Sequence, residues 1–214
     1  MERRSYNEYC GLAKSLDVVG ERWTLLVVRN LLLGPLRYSD LLRGLPGITT
    51  NLLAKRLREM EASGLLEKVR ESSADSGGAY RLTALGMALE PVVHALGHWA
   101  WQWMSAPTRG ELRNVEWLLV ALRRRYRGHT PLRVELLADD VPYRVILGED
   151  TAEITRGALP GADLRVRGTG AAVTRFFLEK AVRGELPDGI VAEGPAAALR
   201  TLRAAFVTSE RETI

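Results

Sequence analysis

The sequence predicts an α+β protein of two domains, and three features of the chain carry that prediction. Residues 1–105 are dominated by apolar residues at helical spacing. Residues 106–214 contain several segments in which apolar and polar residues alternate as in strands. A polar stretch with Pro107 and Gly110, residues 105–114, separates the two parts. We therefore place domains at 1–105 and 106–214.

The composition narrows the classes of function. The chain has 214 residues, of which 46% are hydrophobic, and this excludes wholesale disorder. Its net charge of +4, from 30 basic and 26 acidic residues, is weak support for a nucleic-acid partner. No apolar run reaches the roughly 18 residues that span a bilayer, and the N-terminus lacks a signal sequence. We expect a cytoplasmic protein without a membrane partner, and its single cysteine agrees with that compartment.

The first domain has the element order of a winged helix-turn-helix. Helical spacing and glycine stops predict helices at 11–21, 22–34, 34–47 and 49–64. A hairpin is predicted over residues 65–83, followed by a helix over 84–104 that Pro91 should kink or divide. In such a module the second of two short helices enters the major groove, while the hairpin touches the neighbouring DNA backbone.

The predicted recognition helix reads "TTNLLAKRLREMEASG" from Thr49 onward. Leu53, Leu57 and Met60 share the buried face, and the opposite face carries Asn51, Lys55 and Arg58. Asn can pair with adenine, and Arg or Lys can pair with guanine, in the major groove. A merely solvated polar face is the alternative, and the neighbouring helix and hairpin favour DNA reading over it.

Further DNA contacts are predicted around that face. Arg56 falls on the flank of the helix, where its stem covers the core edge and its guanidinium reaches outward. Thr49 and Thr50 lie at the helix N-terminus, where free N–H groups suit phosphate. The hairpin adds a set of polar candidates, namely Lys68, Arg70, Ser72 and Ser73. Because Glu67 and Glu71 alternate with the basic side chains Lys68 and Arg70, the wing is not strongly cationic.

Residues 8–104 resemble the HxlR family of bacterial winged-helix regulators. The motifs that carry the resemblance are "GERWTLL", "RYSDLL", "LLAKRLREMEASGLL" and "YRLTALG", together with a cysteine near the start. The resemblance implies a homodimer on a palindromic operator in double-stranded DNA, with residues 84–104 in the dimer contact. It also implies recognition contacts from Thr49, Thr50, Asn51, Lys55 and Arg56. The implied phosphate contacts are Arg37, Tyr38 and Ser39.

Cys10 is a candidate redox sensor. It precedes the first long helix, whose N-terminal dipole could lower the pKa of a thiol. The resemblance implies this role because some family members use a cysteine here, although the family's usual Cys-Pro is Cys-Gly in this chain. The alternative is a small buried packing residue.

Other side chains give no sign of catalysis. His94 and His98 could share a metal, but no third ligand completes a site, so we predict interface histidines and no metal. Trp99, Trp101 and Trp103 cover too wide an arc for one core face, so some should pack on a partner subunit or on the second domain. "GTGAA" (168–172) lacks the third glycine of a dinucleotide motif and is interpreted as a turn. We expect neither an enzyme nor a cofactor.

The second domain is predicted to consist of antiparallel strands covered by helices. From "LRVELLA" to "LRTLRAAF" it resembles the sterol-carrier-protein-like fold, which implies an apolar cavity for a hydrophobic molecule. The candidate cavity residues are Trp117, Tyr143, Phe176 and Phe177. The alternative is that these side chains fill the core and that no ligand binds.

Together these features predict a homodimeric, sequence-specific transcriptional regulator, a repressor whose DNA affinity responds to a hydrophobic effector in the second domain. Two alternatives stay open: a thiol-sensing regulator acting through Cys10, and a lipid-binding carrier protein.

Overall fold

The computed structural model describes residues 5–69, 78–105, 111, 113–178 and 186–206. The chain divides into two compact units, residues 1–95 and 96–214. The division therefore falls ahead of the predicted boundary between residues 105 and 106. Each unit is α+β in character, as the fold class predicts.

The N-terminal unit contains the predicted series of helices and the hairpin. Its elements are α1 (Gly11–Val19), α2 (Thr24–Leu31), β1 (Leu36–Arg37), α3 (Tyr38–Arg43), α4 (Thr50–Ala62), β2 (Leu66–Val69), β3 (Ala79–Leu82) and α5 (Ala84–Met87). Helix α6 (Glu90–Trp101) begins in this unit and runs past its end. Pro91 lies in the first turn of α6, where its missing N–H costs no helical hydrogen bond. The predicted long helix is therefore divided into α5 and α6.

The wing is a small antiparallel sheet. Strands β2 and β3 form the predicted hairpin, with Leu66 opposite Leu82 and Val69 opposite Ala79. The two-residue strand β1, which the sequence did not predict, adds to β3, so that the strand order is β1-β3-β2. Arg70, Ser72 and Ser73 lie outside the described residues. Strand β1 leads directly into α3 and so connects the sheet to the helix-turn-helix.

The C-terminal unit is a five-stranded sheet with helices. Its elements are α7 (Val115–Arg125), β4 (Leu132–Ala138), β5 (Val141–Leu147), β6 (Ala152–Arg156), β7 (Leu164–Gly168), α8 (Gly170–Leu178), β8 (Ile190–Glu193) and α9 (Ala196–Ala204). The sequence segment "GTGAA" spans the junction of β7 and α8, in agreement with its interpretation as a turn.

The prediction of an antiparallel sheet is wrong at one pair of strands. The order is β6-β5-β4-β7-β8, and β4 pairs with β7 in parallel, from Val134 opposite Leu164 to Ala138 opposite Gly168. Because β6 lies at one edge and β7 lies beyond β4, residues 157–163 must cross two strands to connect them. Alternation along each strand cannot reveal such a crossover, since it is the same in parallel and antiparallel strands.

One face of this sheet is apolar and buried. This face carries the buried side chains of alternate residues, among them Val134, Leu136, Val145, Ile154 and Val166. Helices α7 and α8 contact one another, α7 contacts β6, and α8 contacts β7 and β8. This burial of apolar area is the main favourable contribution to the folding of the unit.

Glu135 attaches the crossover to the opposite face of the sheet. Its carboxylate accepts hydrogen bonds from the backbone N–H of Leu159 at 2.9 Å and from Nε of Arg165 at 2.6 Å. The Leu159 N–H and then the Arg165 guanidinium hold the pKa of Glu135 below its usual value of 4.5. The ionised side chain therefore connects the loop after β6 to strands β4 and β7.

Acidification should loosen the crossover through Glu135. Because its pKa is lower in the folded protein, its contribution is present above the unfolded pKa and is lost as the pH falls through the folded pKa. We expect the protection factors of the amides in residues 157–163 of the wild type to decrease as the pH falls below the usual Glu pKa of 4.5 and through the lower pKa of Glu135. The Glu135→Gln variant should show low protection already at pH 7 and a weaker pH dependence. Equal pH profiles in the two proteins, measured by hydrogen exchange, would contradict this role.

Candidate DNA-binding surface

Helix α4, the predicted recognition helix, presents a polar face to solvent. Leu53, Leu57 and Met60 are at most 2% exposed, as the helical spacing predicts. Asn51, Lys55 and Arg58 are all exposed, and Ala54 beside them is partly buried. Burial of the apolar stripe therefore turns three side chains with hydrogen-bonding ends outward together.

Two polar contacts hold the N-terminal end of α4. The hydroxyl of Thr49 accepts a hydrogen bond from the backbone N–H of Leu52 at 3.3 Å, so Thr49 is the N-cap. The hydroxyl of Tyr38, at the start of α3, donates to the carbonyl oxygen of Thr50 at 2.7 Å. Helices α3 and α4 are thus connected at their N-terminal ends. Thr49 and Thr50 remain exposed at the first turn, where backbone N–H groups have no acceptor one turn earlier within the helix.

The turn between α3 and α4 depends on Asn30, which the sequence analysis did not single out. Asn30 is 5% exposed on α2 and donates from Nδ2 to the carbonyl oxygen of Gly44 at 3.1 Å. A Cβ at Gly44 would lie 2.9 Å from that nitrogen, so only glycine fits without movement of the neighbour. The one sign of this role in the sequence is that Asn30 is a polar residue within the apolar run of α2.

The predicted phosphate contacts before α4 differ in exposure. Arg37 and Ser39 are exposed, whereas Tyr38 is partly buried and uses its hydroxyl proton within the protein. The hydroxyl oxygen of Tyr38 still has acceptor capacity, but the contact with Thr50 directs its proton away from a phosphate.

Arg56 does not reach outward, contrary to the prediction. The residue is only 7% exposed. Its Nη1 donates to Glu59 Oε2 at 2.6 Å and its Nη2 to Glu21 Oε2 at 3.0 Å. The helical wheel placed Arg56 correctly on the flank of α4, but it could not show that Glu21, between α1 and α2, lies alongside. The guanidinium is therefore part of an ion-pair cluster within the protein.

Acidic side chains interrupt the positive charge of this surface. Lys55 Nζ lies 3.8 Å from Glu59 Oε1, and Arg43 pairs with Asp40 at 3.1 Å. On the wing, Arg81 pairs with Glu67 at 2.7 Å and Lys68 is exposed. The mixed charges predicted for the wing are present in these described residues.

The described part of the chain contains no group of three or more His, Cys, Asp or Glu side chains placed to hold a metal ion. His94 lies 3.8 Å from Glu90, one turn earlier on α6. Within the same described ranges, no helix is both long enough and apolar enough to cross a membrane.

Cys10 is exposed immediately before α1, so it is not the buried packing residue of the alternative interpretation. The backbone N–H groups of Ala13 and Leu12, at the start of the helix, lower the pKa of its thiol. The guanidinium of Arg22, between α1 and α2, lies 5.3 Å from the ring centroid of Trp23.

The four candidate cavity residues of the C-terminal unit are packed among other side chains. Tyr143, Phe176 and Phe177 are 2%, 2% and 6% exposed, and Trp117 is partly buried. Phe177 makes edge-to-face contacts with Phe176 and Phe206, with ring centroids 4.9 and 5.6 Å apart. These rings form part of the core of the unit.

Tyr143 also belongs to a polar cluster beneath the sheet. Its hydroxyl donates to Glu116 Oε1 at 2.9 Å, and Arg156 makes two contacts with the same carboxylate at 2.7 and 2.5 Å. Burial, followed by the nearby charge of Glu116, raises the pKa of Tyr143. The phenol therefore acts as a hydrogen-bond donor over the physiological pH range.

Comparison with known proteins gives consistent matches over the first half of the chain. The model of the HxlR-like helix-turn-helix family matches residues 18–108. YkvN, an uncharacterized HTH-type transcriptional regulator of Bacillus subtilis strain 168, is 38% identical over 90 residues, which are 42% of this chain and 76% of YkvN. YvaP, a second such regulator of that strain, is 32% identical over 92 residues, which are 43% of this chain and 85% of YvaP.

A solved structure is also similar over this region. The reduced form of the transcriptional regulator YodB from B. subtilis covers 47% of this chain and 100% of its own, at 28% identity and a TM-score of 0.39. The helix-turn-helix in the fold, the exposed polar face of α4 and the two sequence relatives all indicate the same kind of protein. The chain therefore belongs to the HxlR-like helix-turn-helix family and is a transcriptional regulator with a DNA-binding helix-turn-helix.

Proposed function

We propose that the protein binds a palindromic operator as a homodimer and represses transcription there. Helix α4 of each protomer enters the major groove, and β2 lies along the adjacent DNA backbone. A hydrophobic small molecule in the C-terminal unit changes the affinity for DNA. The observation that carries the proposal is the joint exposure of Asn51, Lys55 and Arg58 on one face of α4.

The chemistry of that face suits base reading. The Asn51 amide carries a donor and an acceptor, the pair required by adenine N7 and N6. Lys55 and Arg58 can donate to guanine O6 and N7 or to phosphate oxygens. The exposed first turn of α4, with Thr49 and Thr50, offers N–H groups to a phosphate. A repressor of this kind acts by occupying DNA that the polymerase needs.

Substitution of the α4 face should affect specific binding more than general binding. Asn51→Ala or Lys55→Ala should weaken binding to an operator selected from random duplexes by about fivefold or more, because a base contact is worth about 1–3 kcal/mol. Binding to an unrelated duplex should fall much less. Fluorescence anisotropy with both duplexes over a range of salt concentrations measures the ratio.

Arg167→Gln is the matched control, because it removes one positive charge from an exposed strand position in the C-terminal unit. It should leave both affinities nearly unchanged. If each substitution lowered the affinity for both duplexes equally, Asn51 and Lys55 would contact only the DNA backbone and not the bases. An affinity independent of salt would contradict DNA binding itself, since phosphate contacts release counterions.

The proposal of a dimer rests on apolar side chains that remain exposed on α5, on α6 and just after α6. They are Leu85, Val92, Leu96, Trp99, Trp103 and Met104. Trp99 and Trp103 are 58% and 63% exposed, and their ring centroids lie 5.4 Å apart in an edge-to-face pair. Val92, Leu96 and Trp99 recur at helical spacing along α6, and exposed apolar side chains in such a row are typical of an interface. Trp101, in contrast, is partly buried and lies beneath the guanidinium of Arg125.

A charge in this surface should weaken self-association. Trp99→Lys should raise the dimer dissociation constant by at least about tenfold, because a buried Trp is a common interface hot spot. Sedimentation velocity over a dilution series measures the change. Thr151→Lys places the same charge in an exposed turn and should leave the dimer intact. Unchanged association of the Trp99→Lys protein would exclude this surface as the interface.

The proposed effector site lies between the sheet and its helices in the C-terminal unit. An effector shifts operator occupancy only if it favours one state of the protein, by about 5 kcal/mol for a near-complete switch. The aromatic side chains Phe176 and Phe177 would have to move apart to admit it, since both are buried.

Ligand binding should therefore raise the unfolding temperature and change operator affinity together. Long-chain fatty acids and aromatic hydrocarbons are suitable first probes, with thermal unfolding and anisotropy as the measurements. A Phe177→Ala variant should alter the response while leaving ligand-free DNA binding intact. If no such compound changes either quantity, the effector part of the proposal fails and DNA binding stands.

A further inference from the structure

The ion pairs around Arg56 place two basic side chains, Lys55 and Arg56, in competition for the carboxylate of Glu59. Glu59 lies one turn after Lys55 and Arg56 on α4, and each of its oxygens faces one of them. Arg56 Nη1 lies 2.6 Å from Oε2, whereas Lys55 Nζ lies 3.8 Å from Oε1. The first distance is that of a short charge-assisted hydrogen bond, and the second is at the outer limit of an ion pair. Arg56 therefore holds Glu59 more tightly than Lys55 does.

The burial of the three side chains differs in the same sense. The Arg56 side chain is 9% exposed, so it lies against the protein and keeps its position. Lys55 and Glu59 are 47% and 45% exposed, so each can adopt other rotamers. Glu21 holds the second nitrogen of Arg56 at 3.0 Å and keeps the guanidinium on the flank of the helix. Arg56, the most buried of these side chains, therefore determines where the Glu59 carboxylate lies.

We propose that Arg56 is a positioning residue for DNA binding, which acts through Glu59 on Lys55. By holding the Glu59 carboxylate on the flank of α4, Arg56 limits the contact of Glu59 with Lys55 to the long 3.8 Å pair, so that the ammonium group can still turn toward DNA. Without Arg56, Glu59 pairs with Lys55 at i,i+4 and leaves a less compensated negative charge near the phosphates. This inference rests on the proposed DNA contact of Lys55 and gives Arg56 a role without any DNA contact of its own.

A double-mutant cycle separates this role from direct contact. The four proteins are wild type, Arg56→Gln, Glu59→Gln and the double variant, all as full chains. The probes are the selected operator and a 30-base-pair duplex of unrelated sequence. In the wild-type background, Arg56→Gln should weaken operator binding about three- to fivefold, the size expected for exposed charge interactions. In the Glu59→Gln background, the same substitution should change it by less than about twofold, because the competing carboxylate is gone.

The salt dependence of the affinity is a second measurement. If Arg56 only stabilised the fold, the slope would not change in Arg56→Gln and recover in the double variant. Arg56→Gln should reduce the slope of log affinity against log salt, because Lys55 is captured, and the double variant should recover it. Arg167→Gln, with the same loss of charge, should leave the slope unchanged. Circular dichroism and thermal unfolding show that each protein is folded at the temperature of the assay.

Three outcomes overturn the inference. An equal loss from Arg56→Gln in both backgrounds, with a slope lowered by about one in each, assigns Arg56 to a direct phosphate contact. No loss in either background means that Lys55 needs no such protection. A wild-type protein that binds neither duplex at low salt overturns the proposed function as well, which distinguishes that failure from the other two.

Discussion

Burial of one stripe of α4 is the constraint on which the candidate DNA-binding surface depends. Leu53, Leu57 and Met60 lose almost all contact with water, which is worth several kcal/mol in total by the usual measure of apolar burial. A rotation of α4 about its axis would expose them, so the helix has one stable orientation. That orientation in turn determines which residues face outward, namely Asn51, Lys55 and Arg58. The chemistry of the exposed face of α4 is therefore a consequence of core packing in the N-terminal unit.

Polar contacts refine what the apolar stripe establishes. Tyr38 connects α3 to the first turn of α4, and Asn30 holds the end of α3 at Gly44. Arg56 joins the middle of α4 to Glu21. Each contact uses a buried or half-buried donor, and each joins α4, or the turn before it, to a different preceding segment. Such contacts add little net free energy individually, but they are directional and so restrict how α4 can move. The same principle holds in the C-terminal unit, where Glu135 attaches the crossover to the sheet.

The charge of the binding surface is close to balanced, which has a consequence for recognition. Lys55, Arg43 and Arg81 each have an acidic neighbour, so the field around α4 is weaker than its number of basic residues suggests. Nonspecific attraction to DNA depends on uncompensated positive charge, whereas base contacts depend on geometry. The balanced charge therefore agrees with the proposal that binding depends on contacts with base edges more than on general attraction to DNA.

The sequence by itself determined the helices, the hairpin, the buried stripe of α4 and the family resemblance, because these depend on residues close together in the chain. It also indicated the outward position of Asn51, Lys55 and Arg58, since helical periodicity is a local property. Only the tertiary structure decided the burial of Arg56, because its partner Glu21 is 35 residues away. The parallel pairing of β4 with β7 and the attachment of Leu159 to Glu135 were decided in the same way. These features depend on which distant segments meet, and periodicity carries no information about that.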